Sequence, residues 1–197
     1  MRDNTPEPMG GQGQPVQADE TYFGTRDAMR GKPWAEQKGH RNKMVVVGLI
    51  SGGKARTFSA ANAKANTLYA ILDGNANREA ELHTDERPAY RRSAPRFAAH
   101  KTVNHSKGEY VGPEGQHING VENYFSVFKR GMKGVYQHCS EKHLQRYLCE
   151  FDFRYNHRTG LGFTDWERCA IALKGIAGKR LTYRRSNQGH SAQERPA

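Results

Sequence analysis

Cysteine, acidic side chains and long apolar runs are all scarce in this sequence. Cysteine occurs three times in 197 residues, at Cys139, Cys149 and Cys169. No C-x-x-C pair is present, which argues against a zinc ribbon or a dithiol redox motif, so the three read as buried thiols of a reducing compartment. No apolar stretch approaches the roughly 18 residues of a membrane-spanning helix, and the opening MRDNTPEPMGGQGQPVQ lacks the hydrophobic segment of a signal peptide. The expectation is a soluble, cytoplasmic protein with no membrane partner.

Asp and Glu number 20 against 31 Lys and Arg, for a net charge of +11. The deficit is one-sided: residues 1–85 carry 11 basic and 10 acidic side chains, whereas residues 86–197 carry 20 and 10. A basic half of this kind points to a polyanionic partner, nucleic acid first. With 36% hydrophobic residues, nine Tyr and eight Phe, the chain has the material for one buried core and is not disordered throughout.

Residues 1–15, rich in Gly, Pro and Gln, are expected to be a disordered leader, and residues 186–197 a disordered tail, with one domain over residues 16–185 between them. VQADETYF at 16–23 and the continuous apolar run MVVVGLI at 44–50 read as strands, and ARTFSA follows the turn Ser51-Gly52-Gly53-Lys54 as a third. The polar stretch 24–43 between the first two is either a mobile, DNA-facing excursion or an ordinary variable loop. A helix is expected over 64–72, stopped by Asp73-Gly74, then a strand at 80–84 delivering Asp85, a brief helix around 89–92, and a strand at 98–103. Val121, Phe125, Phe128 and Met132 form one helical stripe, closed by Gly131 and Gly134. Ser140 is the candidate N-cap of a second long helix to Asn156, with Leu144, Tyr147, Leu148, Phe151 and Tyr155 on its apolar face; a shorter helix is expected over 164–173.

Three strands, helix, strand, helix, strand, helix is the order of an RNase H-like α/β domain: a mixed five-stranded sheet flanked by helices, here with a helical C-terminal extension. In that arrangement carboxylates come from the first strand, the fourth strand and a later helix. Asp19, Asp85 and Glu122 fall at those places. Hard divalent ions prefer oxygen ligands, and two of them can activate the attacking oxygen and stabilise the leaving oxygen of a phosphodiester displacement. Ser126, Lys129 and Lys133 follow Glu122 along one helix face, so metal ligand and phosphate-binding cations share it. Asn119, a turn before Glu122, is read either as an assistant to the metal site or as a helix cap. Glu20 points away from Asp19 and is structural or surface.

ADETYFG at 18–24, HTDERPAYR at 83–91, VNHSKGEYV at 103–111, the long segment 119–158 and ALKGIAGKRLTYRR at 172–185 resemble DDE transposases of bacterial insertion sequences, particularly the ISXO-like transposase domain. The resemblance spans residues 16–185. It implies that Asp19, Asp85 and Glu122 are the DDE triad holding two Mg²⁺ or Mn²⁺ ions, and that the chain cleaves DNA and transfers strands between element ends and target as a homodimer or larger assembly. Lys107, Lys129, Arg130, Lys133, Arg146 and Arg154 are the expected DNA-binding cations; His105, in the loop entering the catalytic helix with Lys107, is read either as a contact to the scissile strand or as a structural loop residue. Two other functions fit the same residues: a stand-alone metal-dependent nuclease, and an inactive DNA-binding remnant.

Overall fold

The computed structural model describes residues 7–104 and 111–176. Within them β1 (Val16–Phe23), β2 (Met44–Ser51), β3 (Lys54–Ala60), β4 (Glu81–Asp85) and β5 (Ala99–Val103) form one sheet in the order β3-β2-β1-β4-β5. β1, β2 and β3 are an antiparallel meander, while β4 runs parallel to β1 and β5 parallel to β4. A short α1 (Trp34–Gln37) lies in the β1–β2 connection, and α2 (Ala65–Asn75) is the crossover that brings β4 beside β1. After β5 come α3 (Asn119–Gly131), α4 (Glu141–Asn156) and α5 (Asp165–Lys174). Sheet order and strand directions are those of the RNase H-like domain expected from the sequence.

All eight residues of β2 are buried, because this strand is covered on both faces. Met44, Val46 and Ile50 pack under α3 and α4 with Val121, Phe125, Phe128, Leu144 and Leu148. Val45, Val47 and Leu49 face the other way, toward Leu68 and Leu72 of α2. The aromatic residues of α3 and α4 are therefore core, joined edge to face as Phe128 is to Phe151 at 5.3 Å.

α4 does more than bury an apolar stripe. Its Gln145, Asp152 and Asn156 hydrogen-bond to the backbone of Ser59, Thr57 and Ala55 on the outer edge of β3. An edge strand that would otherwise present a free ladder of N–H and C=O groups is closed by helix side chains.

Several local expectations are corrected. Residues 7–15 are not loose: Met9 is buried and exchanges backbone hydrogen bonds with Asn75 and Asn77. That contact, with the Asn75 side chain donating to the Ile71 carbonyl at 2.8 Å, carries α2 through Asp73 and Gly74 instead of stopping there. Gly131 does not close α3 either. A Cβ there would lie 2.6 Å from the Phe151 ring, so the glycine is a notch for helix packing, and the chain continues as a π-helical turn, Met132–Tyr136. Of the thiols only Cys139 is buried, whereas Cys149 is half-buried and Cys169 exposed. Residues 1–6 and the tail 186–197 lie outside the described residues. No helix is long and apolar enough to cross a membrane among the described residues.

Candidate active site

The site grows from the pairing of β1 with β4. Val16 pairs with Leu82 and Gln17 with His83 in parallel register. Asp19 and Asp85 follow two residues further along their strands with the same parity, both on the face that α3 covers. Two independent contacts hold them in place. Asp19 accepts from the Glu20 N–H at 2.8 Å, and Asp85, at the carboxyl end of β4, accepts from the Arg87 N–H at 3.1 Å. Glu20, on the opposite face, is buried; it pairs with the Arg87 guanidinium and accepts from the Tyr90 hydroxyl at 2.7 Å. This clamp fastens the segment after Asp85 to the strand that carries Asp19. Burial pushes the Tyr90 phenol well up, and the negative charges of Asp19 and Asp85 push it further, so both carboxylates act on one hydroxyl.

Glu122 is carried by α3, the helix packed over this face. The residue across from Asp19 on β2 is Gly48, where a Cβ would lie 2.9 Å from both Val121 and Phe125; its absence lets α3 lie close over the strands. The N-terminus of α3 is tied by Gln17, whose Oε1 accepts from the Gly120 N–H at 2.9 Å and whose amide nitrogen lies 3.3 Å from His117 Nδ1. A Cβ on Gly120 would come within 2.7 Å of that Gln17 oxygen, so this contact too depends on glycine. Asn119 is the exposed first residue of α3; Ile118 holds the N-cap position, and no side chain caps there. The cap reading of Asn119 is not observed.

Asp19, Asp85 and Glu122 are each half-buried. Among the described residues no three His, Cys, Asp or Glu groups come close enough to hold a metal ion. Asp19, Asp85 and Glu122 offer oxygen donors alone, a chemistry that suits a hard divalent cation such as Mg²⁺ or Mn²⁺.

Lys129, seven residues along α3 from Glu122, is half-buried. Burial lowers its affinity for a proton, Asp19 opposes this, and Lys133 and Lys43 push further down. Lys129, Lys133 and Lys43 line one cavity at the end of β1 and α3. Arg130 is exposed beside them. Arg146 and Arg154 are elsewhere, in a groove between α4 and α5, and Arg154 is paired with Glu150 at 2.9 Å. Lys107 and His105 lie outside the described residues. Gln17, Gly48 and Gly120 were not singled out in the sequence; the signal for Gln17 was its strand parity with Asp19, two positions on.

Residues 10–156 match the ISXO2-like transposase domain family, about three quarters of the chain. Comparison with curated proteins finds no match. Among solved structures, the HTLV-2 integrase catalytic core domain in complex with magnesium (trimeric form) aligns with a TM-score of 0.44 at 13% identity, covering 81% of this chain and 96% of that one. From the match over residues 10–156, this chain belongs to the ISXO2-like transposase domain family.

Proposed function

We propose that the chain is the catalytic core of an insertion-sequence DNA transposase, which cuts a DNA strand at an element end and joins the freed 3′-hydroxyl to target DNA. What supports this reading is the parallel pairing of β1, which carries Asp19, with β4, which ends in Asp85, on the sheet face covered by α3, the helix that carries Glu122. Family membership supports it.

Asp19, Asp85 and Glu122 would hold two Mg²⁺ or Mn²⁺ ions, which when bound supply activation of the attacking oxygen and stabilisation of the leaving oxygen. The chain's own groups do the positioning. Lys129, Lys133 and Arg130 would take phosphates of the scissile strand, with Lys107 and Asn119 beside the helix N-terminus and Arg146 and Arg154 on a separate path. Gln17 keeps α3 aligned over β1. No nucleophilic side chain is required, since water and then the 3′-hydroxyl attack. The protein would act in the cytoplasm on nucleoid DNA, as a homodimer or larger assembly.

The test incubates the protein with a pre-cut element-end duplex and supercoiled target in Mg²⁺ or Mn²⁺, beside Asp85→Asn. Joined products are expected from the unaltered chain. In the variant they should fall by more than the roughly 10–100-fold that loss of an outer-shell partner costs. Cleavage without joining would indicate a nuclease, and binding with neither a DNA-binding protein without catalysis.

A further inference from the structure

The β1–β2 connection, residues 24–43, is built rather than slack. Arg26 closes its base, donating from its backbone to the Asn42 carbonyl at 2.9 Å and from its side chain to the Lys43 carbonyl at 3.0 Å. The Asn42 amide group donates to the Glu36 and Lys38 carbonyls at 2.6 and 2.9 Å, and Arg30 reaches the Cys139 carbonyl at 2.9 Å. Together they fix a cavity of about 650 Å³ between the connection, the end of β1 and the end of α3, a size typical of ligand sites.

Its walls alternate cations and rings. Lys38, Lys43, Lys129 and Lys133 line it with Tyr22 and Trp34, and among the described residues no carboxylate does. Trp34 is 72% exposed, with the Lys38 ammonium 3.5 Å from its ring centre, and Tyr22 is stacked on His40 at 4.5 Å. A lone exposed ring is ordinary on a protein surface. A ring held by a pinned loop at the mouth of a lysine-lined cavity is not, because it offers a stacking face where phosphates are already attracted. The opposite wall carries the π-helical turn of Lys133 and then Gln137, at a positive φ of 54°; such strained backbone persists where the surrounding structure holds it.

Position adds to this. Lys129 lies two helical turns beyond Glu122, about 10 Å along α3, and Tyr22 lies three residues beyond Asp19, about 10 Å along β1. The cavity begins a short step from the candidate carboxylates on both elements. Duplex DNA keeps its base faces stacked inside, so it could use the lysines and leave the ring idle.

We propose that this cavity receives an unpaired DNA strand passing the carboxylates, its phosphates on Lys43, Lys129 and Lys133 and one base stacked on Trp34. The inference rests on the DNA-processing function proposed above. It is tested in the full chain carrying Trp166→Phe, which leaves Trp34 as the single tryptophan. A duplex with a short 3′ single-stranded extension and the same duplex blunt-ended are titrated in EDTA, reading tryptophan fluorescence and anisotropy. The extended duplex should quench Trp34 and bind more tightly than the blunt one. Trp34→Ala, checked for fold by circular dichroism, should remove that preference, weakening the extended duplex about tenfold, the scale of one base–aromatic stack. Lys129→Glu with Lys133→Glu should weaken both DNAs. Equal binding of the two duplexes without quenching overturns the inference. Metal-dependent cleavage by the unaltered chain would then leave the proposed function standing; quenching by the extended duplex without such cleavage would instead leave the inference and overturn that function.

Discussion

Gln17 joins three parts of the site at once: it belongs to β1 two residues before Asp19, accepts from Gly120 on α3 and meets His117 in the loop before it. Replacing it with alanine leaves the Gly120 N–H without its acceptor, for an expected loss of about 1 kcal/mol by urea denaturation. The same variant should weaken Mn²⁺ binding by calorimetry, since α3, which carries Glu122, loses this tie to β1. An unchanged metal affinity would reduce Gln17 to a packing residue. His100 offers a test of pH dependence. Burial, with the neighbouring charge of His83, holds its imidazole below the ordinary range, and Thr84 Oγ1 lies 2.9 Å from its Nε2. The unfolded chain then takes up the proton more readily than the folded one, so stability is full above the unfolded value near 6.5 and declines as the pH falls through it. Urea midpoints at pH 7.5 and 5.5 should differ in that direction, and His100→Gln should narrow the difference.

At the scale of elements, α4 is the piece whose removal would undo the sheet edge. Asp152 accepts from the Thr57 N–H, the Thr57 hydroxyl and the Tyr124 hydroxyl at 2.9, 2.8 and 2.8 Å in a buried setting. Asp152→Ala leaves those donors buried and short of an acceptor and should cost about 3 kcal/mol or more, whereas Asp152→Asn, which keeps one acceptor oxygen, should cost less. Comparing their urea midpoints separates lost hydrogen bonding from lost volume. The apolar periodicity of 121–132 and 144–155 was sufficient to locate α3 and α4, because a helix announces its buried face every three to four residues. Polar positions on α4 that seal β3 carry no such period. Gln145, Asp152 and Asn156 look like solvated surface until the strand edge is seen beside them.

For the whole molecule, two groups of cations among the described residues stand apart. Lys43, Lys129 and Lys133 line the cavity at the end of α3, while Arg146 and Arg154 line the α4–α5 groove with acidic partners Glu150 and Asp165 nearby. Neutralising Lys129 and Lys133 to Gln should therefore lower the slope of log K against log salt by about 1 each. Arg154→Gln should change it less, because its charge is already met by Glu150. Anisotropy titrations on one duplex from low to moderate salt decide this.

The amino-acid sequence by itself was enough for the order of the elements and the family, because apolar period, turn residues and long motifs are local and additive along the chain. It also located Asp19, Asp85 and Glu122, each at the strand or helix where it stands. It could not show that Gly48 and Gly120 admit α3 and Gln17 to close contact, or that Met9 secures the end of α2. Nor could it separate Lys129 from Arg146 as neighbours of the carboxylates. These are contacts between residues far apart in the chain, and only the tertiary structure decided them, since which distant backbones approach depends on shape and on the small side chains that permit it.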